Sequence, residues 1–472
     1  MNPISKPPER LIIEDFANEI TERAIVADPP AEEVIYFRNW HLIRKKSPVK
    51  LVPVELLRYR KDNGRIASDV LSYEKLHGTL IERNKDTQKE LKKFLDEKDA
   101  EKTAELMNSI RHSSQREPAI ITSDGFLING NRRKLAIEKL FEETKDERFK
   151  WMRVVILPGK NDVEEGGSPT IYEIEQIENR YQFQSEGKAE YYSFDKALSI
   201  RKKIDHGMSI EEQLKDDPNY AHLGQKEFEK VVKKYRGDYL EPLKCIDQYL
   251  KSLGREALYD TVSTGISDKE GRWQAFLDYY DYVEKKLTGD DKLYELGLNE
   301  DEIGIVRDVA FKIIRKREFK DLPKVHMIMR KLPQILKNPE AKEELLKIKK
   351  IRMELPSEKI FEDGKEIDER KKDNIWSSEH VTELQHYVAK ALNLIAYQQE
   401  KEKPIDLLRS AFQKLTHSDL IPKNVEENDL QQARKIASEI ENISNKLAKE
   451  FFDLEKLYKR NKVTKEKKKK YK

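Results

Sequence analysis

Cysteine, glycine and proline are all scarce in this sequence. The chain of 472 residues holds one cysteine, Cys245, whereas disulfide frameworks and cysteine-based zinc clusters need several thiolates. We therefore expect Cys245 to be a small apolar core residue. Glycine and proline number 18 each, which is too little turn chemistry for an all-β protein with frequent tight turns. Helices should dominate the fold.

The sequence also lacks long apolar runs and a large excess of charge of one sign. No stretch approaches the roughly 20 apolar residues of a membrane span, and the first ten residues do not resemble a signal peptide. We therefore expect a cytoplasmic protein with no membrane partner. The formal net charge is only +3, so attraction to nucleic acid must come from local clusters of basic residues.

Changes of pattern along the chain predict an α+β protein built from several segments. Two apolar runs, Ala119–Ile121 and Phe126–Ile128, flank an Asp-Gly turn in the manner of a β-hairpin. Further strand patterns occur at Leu51–Val54 and Met152–Leu157. We predict an N-terminal arm at 1–48, a small α/β domain at 49–165, a helical segment with a helix-turn-helix at 166–245, a helical domain at 246–425, a heptad helix at 426–460 and a lysine-rich tail at 461–472.

A glycine and two arginines open the helix that follows the second apolar run. A helix N-terminus presents unpaired backbone N–H groups and a positive dipole end, so it attracts anions. Arg132 and Arg133, just after Gly130, oppose this dipole, and a bound phosphate would offset the repulsion. The same pattern is common at helix starts that bind nothing. A purely structural role is the alternative.

Several short motifs occur in an order that resembles the N-terminal domain of ParB-type proteins, in the ParB/sulfiredoxin-like superfamily. The segments that carry this resemblance are Leu51–Val54, Asn63–Arg65, Asn108–Arg111, Glu117–Ile121, Asp124–Ala136 and the Glu-Asn motif within Ile177–Gln182. They fall within Leu51–Tyr239, about two-fifths of the chain. The resemblance implies a small ParB/sulfiredoxin-like α/β domain followed by a helix-turn-helix, ahead of a long all-α C-terminal region.

The same resemblance implies a nucleotide site. In ParB-type proteins the corresponding residues contact nucleotide phosphates, which assigns this role to Gly130, Asn131, Arg132 and Arg133, with Arg65 as a supporting contact. Glu178 and Asn179 match residues beside the phosphates and Mg²⁺, and Glu178 is also the candidate catalytic residue. The implied cofactor is CTP or ATP with Mg²⁺. A merely structural Glu178 on a helix surface is the alternative.

Departures from the family's pattern leave the nucleotide and its hydrolysis open. Asn131 stands where the family usually has glutamate, and Tyr181-Gln182 replace the Gln-Arg that trails the Glu-Asn pair. The segment between Arg65 and Ile110 is also longer than in the family. Sulfiredoxins carry a catalytic cysteine at the position of Asn131. An asparagine cannot act as a thiolate nucleophile, which excludes a sulfiredoxin-type reductase.

The segment after the Glu-Asn motif resembles a helix-turn-helix. Helical patterns cover Phe194–Ile204, Ile210–Leu214 and Lys226–Tyr235, with Ser209 as a cap for the second. We expect DNA phosphates to contact the lysines of the third helix, Lys226, Lys230, Lys233 and Lys234. A structural three-helix bundle is the alternative, and no side chain indicates a preferred DNA sequence.

Near the end of the sequence, apolar residues recur at alternating spacings of three and four from Leu430 to Tyr458. This spacing predicts a coiled-coil seam. The seam either pairs with a second chain in a homodimer or packs within its own chain.

Three functions agree with these patterns. The favoured one is a nucleotide-responsive, nucleoid-associated DNA-binding protein with a partition-like or regulatory clamp role. The second is a ParB-fold nuclease or nucleotide hydrolase, a CTPase or ATPase, of a mobile-element or phage-defence system. The third is a non-catalytic scaffold.

Overall fold

The computed structural model describes residues 10–98, 100–183, 193–217, 219–263, 272–289, 293–356, 360–362, 365–417 and 420–470. In this part the protein is mostly helical, with a small mixed sheet of four strands, so it belongs to the α+β class. The chain divides into two compact units after Ile395. No described helix has an apolar stretch long enough to cross a membrane.

The first unit begins with the elements that build the sheet and its two covering layers. In chain order they are α1 Glu14–Arg23, β1 Ile25–Val26, β2 Glu32–Glu33, β3 Ser47–Pro48, β4 Lys50–Pro53, α2 Ala67–His77, α3 Lys85–Lys98, α4 Ala100–Ser113, β5 Ala119–Ile121, α5 Asn131–Thr144, β6 Trp151–Ile156 and α6 Ile171–Phe183.

The central sheet has the strand order β1-β4-β6-β5. Strand β4 is antiparallel to β1 and β6, with Leu51 opposite Arg153, while β5 is parallel to β6, with Ile120 opposite Val155. The predicted runs at 51–54, 119–121 and 152–157 thus form β4, β5 and β6. The two runs of the predicted hairpin are joined by one isolated antiparallel bridge, between Ile121 and Leu127, and by a turn in which Gly125 has a φ of +83°.

Alternation along the strands sends apolar side chains to both faces of the sheet, and each face has its own helical cover. On one face, Ala119 and Val154 pack with Leu135 of α5. On the other, Ile120 and Val155 pack with α6 and with the arm between α1 and β3. Helices α5 and α6, which carry the two halves of the predicted nucleotide site, therefore cover opposite faces.

Helices make up nearly all of the rest of the described chain. They are α7 Ser193–Asp205, α8 Ile210–Lys215, α9 Gln225–Tyr235, α10 Glu241–Ser252, α11 Asp260–Ser263, α12 Trp273–Tyr279, α13 Lys285–Leu287, α14 Ile303–Lys316, α15 Val325–Lys337, α16 Pro339–Leu346, α17 Glu369–Glu379, α18 Val381–Leu415 and α19 Leu430–Lys470, with a two-stranded pair β7 Phe361–Glu362 and β8 Lys365–Glu366 between α16 and α17.

A π-helical turn, Arg236–Leu240, joins α9 to α10 without a break. The lysine-bearing helix therefore continues into α10, whose buried residues Leu243, Ile246 and Tyr249 belong to the large helical core. Cys245 lies in the same core and is buried, as predicted. The predicted domain boundary at 245 falls within this continuous helix.

The second unit, from Ala396 onward, contains the end of α18 and the long helix α19. Helix α19 begins at Leu430, covers the rest of the heptad segment predicted at 426–460 and runs on to Lys470. Its apolar side chains are largely exposed, including Ile443, Phe451 and Tyr458. The side chains of the predicted lysine-rich tail lie outside the described residues.

Candidate functional site

Helix α6 presents a row of buried polar side chains on the side that does not face the sheet. Glu175, Glu178 and Asn179 are 2%, 7% and 1% exposed. Their spacings of three and four place them on neighbouring positions of the helix surface. The Glu-Asn pair singled out in the sequence is therefore buried rather than solvated.

Arg60 and the turn after it face the two glutamates. The guanidinium of Arg60, itself buried, lies 3.8 Å from Oε1 of Glu175 and 3.6 Å from Oε2 of Glu178. The Gly64 N–H donates to Oε1 of Glu178 at 3.3 Å, and in the same turn the Arg65 N–H donates to Asn63 at 3.2 Å. The structure thus brings the turn that carries Arg65 together with Glu178.

Asn179 is held by helices α7 and α8. Its amide NH₂ donates to the Gln213 carbonyl at 2.9 Å and to Asp216 at 3.2 Å. Its side-chain oxygen accepts a hydrogen bond from the ammonium of Lys203, 3.1 Å away. All three contacts are internal to the protein, so Asn179 links the Glu-Asn helix to the predicted helix-turn-helix.

The two glutamates have opposite pKa shifts. Burial raises the pKa of Glu178, and repulsion by Glu175 adds to it, against the attraction of Arg60. Burial alone would also raise the pKa of Glu175, but the hydrogen bond with His206 and the charge of Arg60 outweigh it and lower the pKa. The pair thus holds one carboxylate that is readily ionised and one that resists ionisation.

In this arrangement Glu178 and Asn179 do not fit a Mg²⁺ site. Magnesium needs several oxygen ligands in octahedral geometry, whereas the Asn179 oxygen faces an ammonium and Glu178 faces Arg60. Among the described residues, no group of three or more His, Cys, Asp or Glu side chains is placed to hold a metal ion. The metal and catalytic roles of this pair stay predictions, and no chemical step is derived from them.

Gly130 starts α5 for a clear steric reason. Its φ is +84°, a conformation that favours glycine, and a Cβ there would lie 2.7 Å from Cβ of Ala119. The next residue, Asn131, is 8% exposed, and its buried side-chain oxygen has no hydrogen-bond partner in the part of the chain that the structure describes. No acidic side chain occupies the first turn of α5. The start of this helix is therefore closely packed, and it has no acidic side chain to offset the dipole.

The two arginines of α5 differ in their surroundings. Arg133 donates to the backbone carbonyls of Glu117 and Pro118 at the start of β5, the latter at 3.0 Å, and burial lowers its pKa. Arg132 is partly exposed in the same turn. These contacts give Arg133 a structural role beside the edge strand, while both arginines are partly exposed.

The predicted phosphate residues and the predicted metal residues make their contacts in separate places. Arg133 reaches the edge strand β5, whereas Glu178 and Asn179 face the Arg60 turn, α7 and α8. The phenol of Tyr181 on α6 is among the groups that act electrostatically on Arg133. That these two sets of residues share one ligand stays a prediction.

Helix α9 separates its charged and apolar residues cleanly. Phe228, Val232 and Tyr235 face α7 and α8, in a small core with Ile200 and Leu214. The opposite side carries the four predicted lysines, all of them exposed: Lys226, Lys230, Lys233 and Lys234. None of these ammonium groups forms an ion pair with a described residue.

The helices next to α9 fold as their sequence predicts. Ser209 caps α8 in a capping box, in which its hydroxyl accepts from the Glu212 N–H while the Glu212 side chain accepts from the Ser209 N–H. The connection from α8 to α9 runs from Asp216 to Gly224, which is longer than the three or four residues typical of helix-turn-helix motifs.

No sequence pattern marks several residues that the structure places beside the Glu-Asn pair. Arg60, Glu175 and Lys203 are 3%, 2% and 2% exposed. In the sequence, each is one charged residue among many in a chain that is 38% charged. Burial is the property that distinguishes them, and it becomes visible only in the fold.

Comparison of the chain with protein-family models, with curated proteins and with solved structures finds no match. The resemblance to ParB-type proteins therefore rests on the order of the short motifs alone.

Proposed function

We propose that this chain is a ParB-like DNA-binding protein that holds duplex DNA through the lysine face of α9 and responds to a nucleotide bound near the start of α5. The observation that carries the DNA-binding part is the exposure of four lysines on one side of a helix whose other side is packed. Lysines arranged in this way attract phosphates and release the counterions of DNA.

The fixed position of α9 supports this role. The helix is anchored on one side by the small core with α7 and α8, and at its end by the π-helical turn that leads into buried α10. A rigid support means that little conformational entropy is lost when the lysines meet phosphates. The lysines supply position and affinity but no base readout, so the expected binding depends weakly on DNA sequence.

A salt titration tests the DNA-binding part. We would measure binding of a fluorescent duplex at a series of salt concentrations for the wild type and for a variant with Lys226, Lys230, Lys233 and Lys234 all changed to Gln. Each lost phosphate contact lowers the salt slope by about 0.9. If all four contact phosphates, the slope should fall by about 3 to 4.

The matched control changes four exposed lysines at and before α15, Lys320, Lys324, Lys331 and Lys337, to Gln. Its net charge equals that of the α9 variant, so a general effect of charge would appear in both proteins. Equal loss in the two variants, or an unchanged salt slope in the α9 variant, contradicts the proposal.

The nucleotide-responsive part is supported by the first turn of α5. Gly130 adopts a positive φ, the turn is basic, and Arg132 is partly exposed. We expect Arg132→Ala to weaken binding of labelled CTP or ATP about tenfold or more, because a charge-assisted hydrogen bond is lost. Nucleotide binding that is no tighter in the wild type than in Arg132→Ala would refute the nucleotide-responsive part but would not bear on the lysine face of α9.

Arg133 is less suitable than Arg132 for this substitution, because its removal takes away the hydrogen bonds that it donates to the Glu117 and Pro118 carbonyls.

A further inference from the structure

A cluster of arginines surrounds Asp373 in the helical core. Three guanidinium groups reach its carboxylate: Arg255 Nη1 lies 2.9 Å from Oδ1, Arg315 Nε lies 2.9 Å from Oδ1, and Arg272 Nη2 lies 2.8 Å from Oδ2. The side chains of these three arginines are 6% exposed or less. One carboxylate thus neutralises only part of the charge that is buried around it.

The arginines differ in how well their remaining N–H groups are used. Arg255 also pairs with Glu369, and Arg315 also donates to the Met353 carbonyl. Arg272 donates to the Tyr249 hydroxyl at 2.5 Å and, through Nη2, to the Thr261 carbonyl at 3.4 Å. The Nε atom of Arg272 is buried and has no hydrogen-bond partner among the described residues. An unused donor on a buried cation is costly.

Arg317 joins the cluster from the residue that follows α14. Its Nη2 donates to the same Thr261 carbonyl at 3.2 Å, so the guanidinium groups of Arg317 and Arg272 lie side by side. Its Nε is also buried, and no described residue accepts a hydrogen bond from it. Burial and the charge of Arg272 lower the pKa of Arg317 to about 10. The residue also has a φ of +67°, which a non-glycine side chain rarely adopts.

The described side chains of the cluster carry an excess of positive charge. Four arginines, Arg255, Arg272, Arg315 and Arg317, lie around two carboxylates, Asp373 and Glu369. Two further cations nearby, Lys372 and Arg370, have carboxylate partners of their own in Glu366 and Asp260. Withdrawing uncompensated cations from water costs free energy unless an anion accompanies them. An anion with several oxygens and two charges fits this arrangement. It would balance the two excess positive charges and accept hydrogen bonds from the two Nε–H groups of the adjacent planar guanidinium groups.

We propose that a phosphate group binds at Arg272 and Arg317, either as inorganic phosphate or as the phosphate of a nucleotide. Phosphate fits better than a carboxylate, because its second charge balances the excess and its oxygens can accept from both guanidinium groups at once. The proposal does not depend on the DNA-binding proposal, since none of these residues belongs to α5 or α9.

Thermal unfolding of the full-length protein tests this. We would compare sodium phosphate, CTP and sodium chloride at equal ionic strength. The wild type should unfold at a higher temperature in phosphate, in CTP or in both than in chloride, because a ligand that binds the folded state stabilises it. An effect of phosphate alone identifies the free anion as sufficient. An effect of CTP alone supports this site only if Arg317→Gln reduces it, because the start of α5 is the other proposed nucleotide site.

The informative variant is Arg317→Gln, which removes the charge and the end of the guanidinium group but keeps a shorter polar side chain. We expect it to weaken the apparent affinity for the stabilising anion about tenfold or more. Its unfolding temperature in chloride should be equal to or higher than that of the wild type, because the repulsion with Arg272 is relieved. This result shows that the variant folds and that the loss is one of binding.

Two controls complete the design. Arg330→Gln removes an arginine of the same unit that pairs with Asp278 at 2.6 Å, outside the cluster, and it should retain the wild-type anion response. Arg23→Gln removes an exposed arginine that pairs with Glu55 at 2.6 Å, and it should retain this response as well. Equal unfolding temperatures of the wild type in all three solutions, or an undiminished response in Arg317→Gln, would overturn the proposal.

Discussion

Helix α9 and the cluster around Asp373 both concentrate positive charge, but they place it in opposite surroundings. The lysines of α9 are exposed and form no ion pair with the described residues, so water solvates them at little cost in folding free energy. The arginines around Asp373 are mostly buried, and each depends on fixed acceptors. The exposed lysines suit a polyanion such as DNA, whose attraction to them weakens as salt is added. The buried arginines suit one small anion held in one position.

The buried charges at Glu175 and Glu178 form a third kind of arrangement. There, cations and carboxylates come from four different parts of the chain: the Arg60 turn, α6, α7 and α8. The pairs are internal and nearly balanced, so they fasten the sheet region to the helices that support α9. Charge in this region holds elements together, whereas charge on α9 faces outward.

The largest expected effect is on stability, at Asp373. Changing Asp373→Asn leaves its buried arginines without their shared carboxylate, and we expect the free energy of unfolding to fall by about 3–5 kcal/mol. Chemical denaturation of the purified protein measures this change. A loss below about 1 kcal/mol would mean that the buried arginines do not depend on Asp373 for stability, and that they resemble the exposed lysines of α9 in this respect.

A smaller effect is expected at the two glutamates of α6, with opposite signs. Glu175→Gln should lower the free energy of unfolding at neutral pH by about 1–3 kcal/mol, because it removes a charge-assisted hydrogen bond with His206 and the attraction of Arg60. Glu178→Gln should leave stability unchanged or raise it, because it keeps an acceptor for the Gly64 N–H and removes the repulsion with Glu175.

The pH dependence of unfolding separates these two residues. The folded-state pKa of Glu178 is raised above its ordinary value of 4.5, so the folded state binds this proton more tightly than the unfolded state. As pH rises from about 4.5 through the folded pKa, the wild type should lose stability relative to Glu178→Gln. Relative to Glu175→Gln, the wild type should lose stability as pH falls below about 4.5, because that pKa is lowered. The same sign for both variants would contradict the assigned shifts.

A substitution in α8, next to α9, should lower the stability of the protein without changing its DNA binding. Ser209→Ala removes the capping box of α8, and we expect a loss of about 1 kcal/mol in the free energy of unfolding. The salt slope of DNA binding should stay at its wild-type value, because no phosphate contact is removed. A changed slope would show that α8 takes part in the DNA contact.

The smallest effect on stability is expected for a single lysine of α9. Lys233→Gln should change the free energy of unfolding by less than about 0.5 kcal/mol, because the side chain is exposed and forms no ion pair with a described residue. The salt slope should nevertheless fall by about 0.9. A large loss of stability with an unchanged salt slope would mean that Lys233 stabilises the fold, as the buried charges do, and does not contact DNA.

Much of the local structure was predictable from the sequence. The three strand patterns form β4, β5 and β6, the helix after Gly130 is α5, and Ser209 caps α8 as expected. These features depend on alternation, helical spacing and capping, all of which act between residues close together in the chain. The lysine face of α9 belongs to the same class, because a helical repeat fixes which side chains share a side.

The surroundings of the buried charged residues were not predictable in this way. Gly64 and Glu178 are 114 residues apart in the sequence, and Arg255 and Asp373 are 118 apart. In a sequence so rich in charge, no local pattern marks which charged residues will be withdrawn from water. The expectation that Glu178 and Asn179 face the same ligand as Arg132 and Arg133 depends on such long-range placement, and it stays a prediction.

The sequence by itself determined the helix-rich α+β class, the strands and the amphipathic lysine-bearing helix, because short-range periodicity sets which residues are buried within each element. Only the tertiary structure decided which charged side chains pair, which donors stay unused, and which anions the protein is suited to bind. The physical reason is that the free energy of a charge depends on its distance from water and from other charges, and packing between distant segments sets both.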